Sequence, residues 1–159
     1  MVGAIVLSNR ILDSPRRSSH VAQLFSLGHF AHAMLILWKL PWCSSGRSED
    51  RVRQLGRREV EVVVGDGEHP SQRLVFGGVE SFRVTYYHAC ASDMHEAYDQ
   101  IIEMGTTPWF SEIQQKLHGY GDATVGLRHL RFYLDDGPCY EFICRSFRAE
   151  IIEHERPVA

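Results

Sequence analysis

His129, Arg131 and Tyr133 fall at every second position of the stretch 127–134, so on an extended backbone they share one face. The stretch 139–149 reads as its partner strand and brings Glu141 and Arg145 across the ladder. An imidazole within hydrogen-bond reach of a carboxylate is the minimum equipment for general acid–base catalysis, and Glu141 or Asp135 would orient His129. His129 and Glu141 are therefore the catalytic candidates, although no activated nucleophile stands beside them. The motifs Gly-x-Ser-x-Gly, the phosphate-binding glycine loop and the dinucleotide fingerprint are absent, and Gly65-x-Gly67 alone is too common to count. The first reading of the same region is an exposed polar sheet face that docks a partner through Arg131, Tyr133, Asp135, Asp136 and Arg145.

Nine histidines invite a metal, but only His29 and His32 have ligand spacing, and they sit three apart in an apolar stretch that reads as a packed helix. His88 and His95 flank a strand-to-helix turn and read as loop histidines. Cys43, Cys90, Cys139 and Cys144 show no C-x-x-C spacing and read as reduced thiols. No metal and no cofactor is expected; reduced thiols are expected and a secretory signal is not, so the expected location is the cytoplasm.

These residues need elements to position them. Val60 to Val64 is β-branched, ends at Gly65-Asp66-Gly67, and is followed by an extended stretch 72–76, which makes a hairpin. Gly77-Gly78 breaks the chain before 79–87, where Phe82, Val84 and Tyr86 alternate with polar residues as in a half-buried strand. Ser92 then caps a helix carrying Met94, Ala97, Tyr98, Ile101 and Ile102 at helical spacing, ended by Gly105. Thr107 caps a second helix with Pro108 at its first position and Trp109, Phe110, Ile113 and Leu117 as its apolar stripe. The strands 127–134 and 139–149 close around Asp135-Asp136-Gly137-Pro138. The expected fold class is α+β: an antiparallel sheet of about five strands, element order βββααββ, with two short helices on one face.

At 159 residues one compact domain is the default. The net charge of −3 hides an asymmetry. Residues 1–58 hold nine basic and three acidic side chains, a surplus of +6, and residues 59–159 hold eight against seventeen, a deficit of −9. Residues 1–50 read as a basic, apolar arm with one helix at about 21–40, followed by a linker at 43–51. The α+β domain then spans 52–150, and 151–159 is a charged tail. The segment 21–42 is nearly long enough to span a bilayer, but Gln23, His29, His32 and Lys39 interrupt it, and basic residues flank both ends. It reads as a helix packed on the body, with membrane contact as the alternative.

The run His129-x-Arg131-x-Tyr133-Leu134-Asp135-Asp136-Gly137-Pro138-Cys139-Tyr140-Glu141-Phe142-Ile143-Cys144 resembles a recurring ending in small bacterial α+β domains of unassigned activity. The resemblance covers residues 59–150, and some proteins of that size and shape resemble immunity or antitoxin proteins. It implies a binding role and transfers no catalytic residue.

Three functions follow as expectations. The first is an acidic protein-binding module without catalysis. Its basic partner would meet Asp135, Asp136, Glu141, Asp93, Glu96, Asp99 and Glu103, with Tyr87 and Tyr120 as exposed aromatic contacts. The second is a small enzyme using His129 as general acid/base. The third is a nucleic-acid contact through the Arg-rich 47–58 segment, which the absence of interleaved aromatic residues and the acidic body both disfavour. Self-association is expected if the arm packs on a neighbour's sheet.

Overall fold

The computed structural model describes residues 34–44, 49–135 and 137–152, which lie in one compact unit. Nine strands and one α-helix follow in chain order: β1 (Leu35–Lys39), β2 (Glu49–Leu55), β3 (Glu59–Gly65), β4 (Ser71–Gly77), β5 (Ser81–Thr85), β6 (Gln100–Met104), α1 (Pro108–Leu117), β7 (Arg128–Tyr133), β8 (Cys139–Cys144) and β9 (Ser146–Ile152). They form two antiparallel sheets, one of five strands in the order β1-β6-β7-β8-β5 and one of four in the order β2-β3-β4-β9. The fold is therefore mostly β, which corrects the expected single sheet with two helices and a helical arm.

Each correction has a local cause. The expected helix at about 21–40 is strand β1 over its described part, while 1–33 and 45–48 lie outside the described residues. The apolar run 33–38 carries no period, and such a run does not distinguish helix from strand. The expected first helix is a short 3-10 turn, Ser92–Ala97, after which Asp99 adopts φ +52° and turns the chain into β6. Ile101 and Ile102 are buried on opposite faces of that strand, one in each apolar cluster, so their adjacency records a central strand and not a helix stripe. The second helix stands as expected: Thr107 accepts the Phe110 N–H at 3.2 Å and Pro108 opens α1.

The expected strand 139–149 is divided at Arg145. Its N–H donates to the Gly77 carbonyl at 2.9 Å, and a Cβ on Gly78, at φ +63°, would come within 3.1 Å of the Arg145 side chain. Here β4 runs into β5 and β8 runs into β9, each pair changing sheets at one corner. Glycine supplies both the positive φ and the room for this crossing.

The two sheets pack face to face. Val60, Val62, Val64, Leu74 and Phe76 of the smaller sheet meet Ile101, Leu130, Phe132, Tyr140, Phe142 and Cys144 of the larger. Phe76 and Phe142 stack with centroids 3.7 Å apart and planes at 10°. Tyr140 also donates its hydroxyl to Asp50 on β2, a polar tie between the layers. Burial and the Asp50 carboxylate push the Tyr140 hydroxyl pKa upward. The opposite face of the large sheet carries a smaller cluster of Ala97, Ile102, Tyr133 and Cys139. Beside it the charged residues of the candidate site gather.

Candidate functional site

The sheet register places Glu141 on β8 directly between Arg83 on β5 and Arg131 on β7. His129, two residues before Arg131, is diagonal to Glu141 on the same face. This face is buried, not exposed as expected. His129 is 1% exposed, Arg131 4% and Glu141 0%, and the 3-10 turn and the start of α1 contribute residues that contact them. Isolated charges at such depth would be costly, so each needs partners.

Glu141 has three. His129 Nε2 lies 3.2 Å from its Oε1, Arg131 donates Nε and Nη2 to the same oxygen at 3.1 Å each, and Arg83 donates Nε to Oε2 at 2.5 Å. Burial alone pushes the Glu141 carboxyl up, but hydrogen bonds from His129 and Arg83 and the charges of Arg131 and Arg83 outweigh it, holding the pKa at about 2. Glu141 is thus a fixed carboxylate that orients its neighbours. Arg131 completes its bonds on Asp93, through the carboxylate at 3.0 Å and the backbone carbonyl at 3.2 Å.

His129 meets a second partner that the sequence assigned only to capping. Its Nδ1 lies 2.9 Å from the Thr107 hydroxyl. Glu141 can only accept, which places a proton on Nε2. In the neutral imidazole Nδ1 is then the acceptor, and the Thr107 hydroxyl, whose oxygen also takes the Phe110 N–H, donates to it. Trp109, one turn residue further, packs its ring edge to face against His129 at 5.2 Å and lies under the Arg83 guanidinium at 4.4 Å.

These groups open on a concavity of about 430 Å³ lined by Arg83, Asp93, Met104, Thr107, Pro108, Trp109, Glu112, His129 and Arg131. Arg83 is its outstanding feature. Glu141 holds its Nε and Trp109 fixes its plane, while both Nη groups have no partner among the described residues, and 43% of the side chain is exposed. A larger depression of about 520 Å³ beside α1 is lined by Ser111, Gln114, Gln115, His118 and Thr124 and contains no carboxylate or guanidinium, so the chemistry converges on the smaller one.

The other sequence candidates lie elsewhere. Tyr133 is buried in the small apolar cluster with its ring edge against His95 at 4.8 Å. Arg145 braces the sheet-crossing corner through Glu80 at 2.8 Å and the Ala123 carbonyl at 2.5 Å. The Asp135 backbone N–H donates to Ser44 Oγ at 2.8 Å, and Ser44 in turn donates to Asp99. Asp136, His29 and His32 lie outside the described residues. No group of three metal-ligating side chains occurs among the described residues, and no helix there is long and apolar enough to cross a membrane.

Arg83, Thr107 and Trp109 were missed as site residues. Arg83 sits on a strand whose partner in the sheet was not legible, and Thr107 and Trp109 were fully explained by capping and the helix stripe. No protein-family model matches the chain, and neither a curated protein nor a solved structure is significantly similar to it.

Proposed function

We propose that the protein is a binding module for small carboxylates with an apolar body, held in the concavity beside Arg83. The observation that carries this reading is the oriented fork of Arg83, held by Glu141 through Nε and by the Trp109 ring, with Nη groups that have no protein partner among the described residues. A guanidinium already fixed by a carboxylate and an aromatic face loses little freedom on binding, and its planar fork matches a carboxylate bidentately. Met104, Pro108 and Trp109 supply apolar surface for the rest of the ligand. Asp93 and Glu112 also line the concavity, and their charges disfavour phosphates and other multiply charged anions.

The acidic protein-binding reading draws less support. Asp93 faces Arg131, Glu103 pairs with Arg128 at 2.7 Å, Asp99 holds Ser44, and Glu141 is buried, so most of the expected acidic surface is already committed. The exposed Tyr120, at 75%, remains its best feature. In the basic segment, Arg51 and Arg53 lie on β2, an edge strand, where charge protects against pairing with other chains.

Calorimetric titration with phenylacetate tests the proposal. The expected dissociation constant is on the order of 1 mM, as suits a ligand of this size with one ion pair. Arg83→Leu should weaken it by about tenfold or more, and Arg83→Lys should recover only part of the loss, because a point charge replaces a fork. Equal binding by wild type and Arg83→Leu would remove the reading.

A further inference from the structure

We propose that Thr107 is the nucleophile of an ester hydrolase activity whose acyl product is the apolar carboxylate bound at Arg83. The inference rests on the binding reading and adds chemistry to it. Its basis is a linked series: the Thr107 hydroxyl 2.9 Å from His129 Nδ1, and His129 Nε2 3.2 Å from the buried Glu141. A hydroxyl, a base within hydrogen-bond reach and a third group that orients the base form the arrangement that activates an alcohol nucleophile, whatever the chain order of its members. Thr107 comes from the cap of α1, His129 from β7 and Glu141 from β8. Thr107 and His129 line the same concavity as Arg83.

The steps balance with no further reagent. Thr107 Oγ1 attacks the ester carbonyl carbon as its proton passes to His129 Nδ1. The carbonyl oxygen becomes an oxyanion against the Nη groups of Arg83. The C–O bond to the leaving alkoxide breaks, and that alkoxide takes the proton from Nδ1. Water then attacks the acyl-Thr107 carbonyl and gives a proton to Nδ1, and the Thr107 oxygen leaves and recovers that proton. The carboxylic acid so formed releases its remaining proton to solvent, and the product carboxylate stays opposite Arg83, which serves the transition state and then the product. Glu141 acts as a positioning residue by holding the proton on Nε2 and fixing the imidazole plane.

The probe is p-nitrophenyl phenylacetate, with phenylacetate binding measured in parallel on the full chain. Thr107→Asn retains a strong helix cap without the hydroxyl, and Thr107→Ser retains both. The expected result is saturable hydrolysis by wild type and Thr107→Ser, with a transient acyl adduct on residue 107 by intact mass. Thr107→Asn should lose at least ~10³-fold in turnover. Undetectable hydrolysis by a wild type that binds phenylacetate overturns the hydrolase inference and leaves the binding reading standing. Hydrolysis unchanged in Thr107→Asn overturns it equally, and loss of phenylacetate binding by wild type removes both.

Discussion

Replacing Glu141 with Gln will destabilise the protein by about 3–5 kcal/mol, the cost of breaking a buried ion pair by removing one partner. The substitution keeps the shape of the side chain and removes its charge. Arg131, 5% exposed in its side chain, then keeps one charged partner, Asp93, which is itself 57% exposed, and the neutral glutamine carbonyl can accept from His129 and Arg131 only with its NH2 group turned against the Arg83 donor. Arg83 contributes less to the cost because 43% of its side chain reaches solvent, where screening discounts the pair. Urea unfolding at neutral pH checks the magnitude, and a cost below about 1 kcal/mol would mean that the cluster is not a closed charge network. The pH dependence is a second readout with a defined sign. Folding lowers the Glu141 pKa from 4.5 to about 2, so the unfolded chain takes up this proton first as the solution is acidified. The stabilisation is therefore complete above about pH 4.5 and drains as pH falls toward 2. In Glu141→Gln that share of the acid dependence should be absent, so the two stability curves converge at low pH.

Phe142→Ala should cost about 3–5 kcal/mol through lost burial and the cavity left behind. Phe142 is 0% exposed, stacks on Phe76 at 3.7 Å and neighbours Phe82 at 6.0 Å. It sits on β8 with its side chain in the core between the sheets, while Glu141, the preceding residue, points to the other face. One residue thus anchors the packing of the layers and its neighbour organises the site, so a shift of β8 would disturb both. Phe147→Ala, on the half-buried end of the same aromatic group, should cost clearly less. Thermal and denaturant unfolding of the two variants compare them directly, and equal losses would contradict a core centred on the Phe76–Phe142 stack.

The hairpins were the legible part of this fold. Gly65-Asp66-Gly67 and the turn before Pro138 announce β3–β4 and β7–β8, because turn chemistry and alternation are local signals. The sorting of strands into two sheets was not, since it depends on the corner where Gly77–Gly78 meets Arg145, residues 67 to 68 positions apart in sequence terms of contact and invisible to any window. Met94, Ala97, Tyr98, Ile101 and Ile102 match a helix pattern, yet the positive φ at Asp99, supported by its bonds from Ser44, ends that pattern. His129 beside Glu141 was legible because strand alternation and a short turn put them on one face. Arg83 and Thr107 reach that face from β5 and α1, whose placement only the tertiary fold supplies. The surface reading of the face failed for the same reason: the residues that cover it come from 92–97 and 107–109.

The most direct test of carboxylate binding at Arg83 is a ¹H–¹⁵N titration with phenylacetate that follows the Arg83 Nε–H, the Trp109 indole and the Phe110 amide. The account predicts saturable shifts at these three groups with one common dissociation constant, and their loss in Arg83→Leu at the two groups that remain. Saturable shifts confined to other residues, or none at ligand concentrations well above 1 mM, would contradict it.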